Sequence, residues 1–117
     1  MIAIVLVALV ALLHFYFLVL EMFLWTKPMG LKVFRNTPEF AEASKVLAAN
    51  QGLYNGFLVA GLVWGLLLGA TAGRPVLVFF LGCVIVAGVY GAITVSRRIF
   101  FVQAVPAILA LGAVLYT

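Results

Sequence analysis

The sequence predicts an all-α integral membrane protein, a bundle of four transmembrane helices. Three observations predict it. Of 117 residues, 68% are hydrophobic and only 9% charged, with mean hydropathy +1.33. A soluble domain carries about 25% charged residues, so polar surface is too scarce here to cover a globule in water. One bilayer crossing needs about 20 apolar residues, so this length holds four spans and short loops, with no room for a large extramembrane domain. The net charge of +4 comes from seven Lys and Arg beside the predicted helix ends, where membrane topology is set. That placement points to the bilayer as the partner and away from nucleic acid.

The first span covers residues 2–25, "IAIVLVALVALLHFYFLVLEMFLW". It has no basic leading segment, its apolar run is too long for a signal peptide, and no small-residue cleavage site follows. Trp25 suits the aromatic belt at a membrane surface. Residues 26–44 form the longest loop, where Pro28 and Gly30 break the first helix. Thr37-Pro38-Glu39 reads as a helix start, with a capping hydroxyl, proline at the first helical position and an acid in the first turn. The helix that follows runs from 38 to 70, with 46–70 inside the bilayer. "TAGRP" at 71–75 is a tight turn, the third span is 75–96, and Ser96-Arg97-Arg98 leads into the fourth at 99–116. Pro106 near the middle of that span removes a backbone hydrogen bond and predicts a kink. The four spans make one domain over residues 1–117.

Orientation follows from the cations. Lys27, Lys32, Arg35, Lys45, Arg97 and Arg98 lie on the first and third connections, and only Arg74 lies on the second. The positive-inside rule places the first and third connections in the cytoplasm, with both termini outside, in a bacterial inner membrane.

Polar side chains inside the spans cluster by depth. At 1.5 Å per residue, Glu21 lies about 6 Å and His14 about 16 Å from the cytoplasmic end of span one. Counted from Lys45, Asn50 is about 7 Å and Asn55 about 15 Å deep; Tyr90 is about 9 Å and Gln103 about 6 Å deep in their own spans. All fall in one half of the bilayer. His14 and Glu21 share a helix face, Asn50 lies one turn before Tyr54 and Gln51 one turn before Asn55, and Tyr90 lies one turn before Thr94. A polar group facing lipid is costly, so these stripes should turn inward. Two readings follow. One is a cytoplasm-facing polar pocket rimmed by Lys45, Arg97 and Arg98. The other is interhelical hydrogen bonding that simply holds the bundle, at about 0.6–2 kcal/mol per bond. Adjacent antiparallel helices should bring Asn50 and Glu21 together at the pocket floor. A proton relay would need an acid in the other half of the bilayer, and none is there. His14, Glu21 and the lone Cys83 do not form a metal-ligand set, so no metal is expected. Cys83 reads as a small packing residue. Gly52 and Gly56, then Gly61, Gly65 and Gly69, and Gly88 with Gly91, give the small-residue spacing that lets helices approach closely, within a subunit or between subunits.

The runs "LVLEMFLWTKP", "EFAEASKVLAANQGLYNGFLVAGLVWG", "YGAIT" and "QAVPAILAL" resemble the domain-of-unknown-function 1304 family of small bacterial inner-membrane proteins, over nearly the whole chain. That resemblance implies four spans. "AANQ" followed by "FLVAGLVWGLL" is similar to the second helix of the MAPEG superfamily, the membrane-associated proteins of eicosanoid and glutathione metabolism. Asn50 and Tyr54 match the superfamily's Asn and Tyr, while Val46 and Leu53 stand where its Arg and acid would be. Tyr90 and Arg97 are seven apart, like the tyrosine and thiol-activating arginine of the glutathione-conjugating members. The resemblance implies a MAPEG-like four-helix fold, a homotrimer and glutathione as a cofactor or substrate.

The functional expectation is a site for a small anionic or thiol-bearing molecule, with His14, Glu21, Lys45, Asn50, Gln51, Tyr54, Asn55, Arg98 and Gln103 as binding residues. In the enzyme version, Arg97 steadies a developing anion and Tyr90 or Glu21 moves a proton. A transporter or channel subunit is the alternative, and a structural or assembly subunit is the third. The apolar outer half and the lack of an inverted repeat weigh against transport.

Overall fold

The computed structural model describes residues 1–116; Thr117, the end of the predicted domain, lies outside them. The helices are α1 (Ile2–Met22), α2 (Pro28–Phe34), α3 (Pro38–Ala72), α4 (Arg74–Thr94), α5 (Arg97–Ile99) and α6 (Val105–Leu115), with a π-helical turn at Phe100–Ala104 between the last two. No strand occurs among the described residues. Four helical stretches are long and apolar enough to cross a membrane: Ile2–Met22, Pro38–Ala72, Arg74–Thr94 and Arg97–Leu115. The chain divides into two compact units. One comprises Met1–Leu12 with the chain from Leu58 onward, and the other is Leu13–Phe57.

The first unit has a dry core of Val7, Val10, Ala11, Leu62, Leu77, Leu81, Val84, Ala107, Ala110 and Val114. Lipid tails are as apolar as leucine, so helix association rests on close van der Waals fit. Glycines provide that fit. A methyl group on Gly88 would fall 2.8 Å from the Cβ of Ala104, and one on Gly91 would fall 2.8 Å from Ile99 Cγ2. Gly61 lies against the Phe80 ring and Gly65 against Leu77.

The chain reverses at Gly69–Gly73, slightly earlier than the expected turn. Gly69 has φ 91° and ψ 178°, which kinks the end of α3 and which other residues rarely adopt. Arg74 follows, and its Nη2 donates to the carbonyl of Leu115 at 2.6 Å, satisfying an acceptor at the end of α6. At the other end of α4, the backbone N–H groups of Val95 and Ser96 both donate to Gly91 O, at 2.8 and 3.0 Å, and this closes the helix. Ser96 Oγ then accepts from the Arg98 N–H at 3.2 Å and starts α5. The effect of Pro106 is displaced toward the N-terminus. The Val105 N–H donates five residues back to Phe100 O, and Pro106 sits in the first turn of α6. A restarting helix needs no N–H there.

In the second unit, α1 stops at Met22, three residues before the expected end of the span. The expected long loop contains α2, which has Pro28 in its first turn and closes on Arg35 in the left-handed conformation, φ 56° and ψ 41°. Gly30 is required there, because a Cβ would run into the Leu24 carbonyl oxygen. Trp25 folds back over this elbow, 4.9 Å from the Phe34 ring, and its Nε1 donates to Ser44 Oγ at 3.1 Å. Thr37 Oγ1 accepts from the Phe40 N–H at 3.2 Å and caps α3.

Candidate functional site

The second unit contains the three buried polar side chains among the described residues: His14 at 0%, Glu21 at 7% and Asn55 at 9% exposure. Asn55 Nδ2 donates to Glu21 Oε1 at 2.6 Å, linking the last turn of α1 to the middle of α3. The acid's direct partner is therefore Asn55 and not the expected Asn50, which lines the same cleft as Glu21. Two physical causes explain the difference. Counting Cα rise treats side chains as level with their own residues, whereas helical side chains lean toward the helix N-terminus. On α1 that lean carries Glu21 inward, toward the depth of Asn55. The two helices also approach closely at Gly52, where an added Cβ would lie 2.6 Å from Met22 Cγ and 3.2 Å from both Glu21 Cβ and Leu18 O. The buried positions of this part of α3 are Ala41, Ala48, Gly52 and Asn55. Small residues form the seam, and the amide that continues their spacing is the one turned inward.

An open cleft of about 410 Å³ lies beside this pair. Glu21, Thr26, Lys45 and Asn50 supply its polar wall, and Met22, Phe23, Trp25, Val46 and Ala49 the apolar remainder. Lys45 Nζ lies 2.5 Å from Glu42 Oε1, both side chains being exposed, so its charge is already compensated. The Trp25 ring is held by Phe34 and by its bond to Ser44 Oγ, which in turn donates to Phe40 O at 2.7 Å.

Three of the expected site residues, Glu21, Lys45 and Asn50, line this cleft, and Asn55 holds Glu21 from behind. His14 is fully buried seven residues earlier on α1, its ring edge-on to Phe17 at 5.6 Å, and is not part of the cleft wall. Gln51 and Tyr54 are exposed, with Tyr54 at 64% and its ring 5.9 Å from Phe57. Tyr90, Arg97, Arg98 and Gln103 belong to the other unit, and none lines the cleft. Tyr90 is exposed and its carbonyl accepts from Thr94 Oγ1 at 2.7 Å; Arg97 and Arg98 are exposed; Gln103 is half-buried in the π-helical turn. Sequence reasoning missed Thr26, Ser44 and the bond from Trp25 to Ser44. Composition and position mark Trp25 as an interface residue, and its bond to Ser44 and packing on Phe34 come in addition. A serine in the first turns of a helix, near a loop tryptophan, was the available signal.

A family model described as "Protein of unknown function (DUF1304)" matches residues 8–115, a range that includes every cleft residue. The chain is 36% identical over 110 residues to "Uncharacterized protein YpaA" of Lactococcus lactis subsp. lactis (strain IL1403), covering 92% of each protein. No solved structure matches the chain.

Proposed function

This chain belongs to the DUF1304 family, and from that premise we propose that it is a membrane-embedded binding protein whose cleft beside Glu21 takes a small amphiphilic molecule. The observation that carries the reading is a carboxyl group inside an apolar span, held by one amide and adjoining an open cleft. Intramembrane ionisable groups are expensive and typically mark ligand or ion sites. The anionic or thiol-bearing ligand expected from the sequence rests on the cations of the first and third connections, and the one of them on the cleft wall, Lys45, is paired with Glu42. The enzyme version, with Arg97 and Tyr90 at work and glutathione as the reactant, is supported by their spacing and by the MAPEG resemblance alone. The homotrimer rests on the same resemblance and on the glycine pattern. The distribution of cations supports a bacterial inner-membrane location, with the cleft toward the cytoplasm and both termini outside.

Mass spectrometry of molecules co-purifying with the protein in mild detergent tests the binding reading. A recurrent bound species, lost from Glu21→Gln, is expected. Native mass spectrometry of the same sample should give the trimer mass, and a clean monomer would end that part. Reporter fusions at the C-terminus should report the periplasm.

A second reading has its own support. The Asn55–Glu21 bond is also what a purely structural tie between helices looks like. It predicts that the pair can be replaced by apolar residues with no loss of any bound species.

A further inference from the structure

Resting on the binding reading above, we propose that the occupant of the Glu21 cleft is a cationic amphiphile, its ammonium head between the Glu21 carboxylate and the Trp25 ring and its alkyl chain along Phe23 and Val46. Five observations lead there. Asn55 engages Oε1 of Glu21, while a carboxylate offers about four acceptor positions, so the acid keeps capacity for a donor. Glu21 is nearly buried yet lines the cleft, and an ammonium beside it would favour the ionised carboxylate and gain from the low dielectric there. The one cation on the cleft wall, Lys45, is already paired with Glu42, so an incoming anion must compete with that acid whereas an incoming cation need not. Trp25, held by Ser44 and Phe34, lines the cleft, and an indole ring is the best of the side-chain partners for an ammonium. Phe23 and Val46 are exposed at 66% and 69%, which gives the chain of an amphiphile an apolar track out of the cleft.

The experiment uses Trp25 as its own reporter. The sequence has two tryptophans, so Trp64→Phe leaves Trp25 alone. Fluorescence of the full chain in dodecyl maltoside is followed while decyltrimethylammonium, or decyl phosphate, is added. The expected result is a saturable change with the cation, its apparent affinity falling at least tenfold in Glu21→Gln. That variant retains a carbonyl acceptor for Asn55. A cation response equal in wild type and Glu21→Gln is micelle partitioning and overturns the proposal. Saturation by decyl phosphate without saturation by the cation overturns the cation while leaving the binding reading intact. Saturation by neither overturns both. Should Glu21→Gln fail to fold, Glu42→Gln serves, since it lies on the exposed surface and frees the Lys45 charge. It should weaken the cation threefold or more and strengthen decyl phosphate; an unchanged pair of affinities overturns the proposal.

Discussion

Leu62, Leu81 and Val84 in one unit are as inaccessible as His14 in the other, but the two units achieve burial by different means. Around Leu81 no side-chain hydrogen bond links one core residue to another, and glycines such as Gly61, Gly65 and Gly88 set how closely the helices approach. In the unit Leu13–Phe57 a small residue also sits at the closest approach, Gly52, but polar ties flank it: Asn55 to Glu21 on one side and Trp25 to Ser44 on the other. A dry seam tolerates no added volume. A polar tie tolerates no lost partner. Helix α3 runs through both units, so a single helix faces both constraints along its length.

The sharpest break of this contrast is the loss of one partner in the polar unit. Asn55→Leu leaves the Glu21 carboxyl buried without its amide, and Glu21→Leu leaves the amide without its acceptor. Each should cost about 2–3 kcal/mol, because an orphaned buried polar group keeps its full desolvation penalty. The double substitution should recover most of that loss. Equilibrium unfolding in detergent over the four proteins gives the coupling. Purely additive single effects would show that the two residues are not partners.

The dry unit should fail by a different route. Gly88→Val places new atoms where the Ala104 Cβ and backbone already stand, and overpacking of this kind costs about 1–3 kcal/mol. Gly88→Val with Ala104→Gly should recover part of it. Gly69→Ala isolates conformation from volume. Nothing lies within 4 Å of a Cβ there, but φ is 91°, so a loss of about 1–3 kcal/mol would be backbone strain alone. A neutral Gly69→Ala would mean that α3 has no kink at that point.

How much of this was legible in the sequence divides along the same line. Four apolar helices, the Thr37 cap, Arg74 beside a reversal and the closeness of glycine seams follow from composition, spacing and turn chemistry. The partner of Glu21 does not, because two stripes one residue apart, Asn50/Tyr54 and Gln51/Asn55, are equally good by periodicity. Only Ala48 and Gly52, which carry no polar signal of their own, identify Asn55 as the inward amide. The short helix α2 was hidden by Pro28 and Gly30, which mark a break from α1 but equally allow a first helical turn and a tight packing position. Depth counting groups Tyr90, Arg97, Arg98 and Gln103 with Glu21 by height in the bilayer alone, and in the structure those four residues belong to the other unit.

A smaller effect is expected at the elbow. Trp25→Phe keeps most of the ring packing on Phe34 and removes the N–H that donates to Ser44 Oγ. A net hydrogen bond of this kind is worth about 1 kcal/mol. Ser44→Ala should cost a similar amount, and the double substitution little more than either alone. Full additivity in thermal unfolding would show that the bond does not hold the elbow.

The smallest effect should fall on Asn50, and it limits how far the polar-tie argument extends. Asn50 is exposed on α3 and lines the cleft, yet no hydrogen bond ties it to Glu21. If polar content alone stabilised this unit, Asn50→Leu would resemble Asn55→Leu. If partnership is what matters, Asn50→Leu should stay within about 0.5 kcal/mol of wild type, as surface substitutions usually do. Gln51→Leu, also exposed, is the companion control, with one added use. In an isolated subunit both changes are near neutral, but in a trimer that buried either amide between subunits the same change would loosen assembly. Unfolding measured at two protein concentrations separates the cases. A concentration-independent loss of 2 kcal/mol or more at Asn50 would mean that depth, rather than the small-residue seam, selects the partner of Glu21.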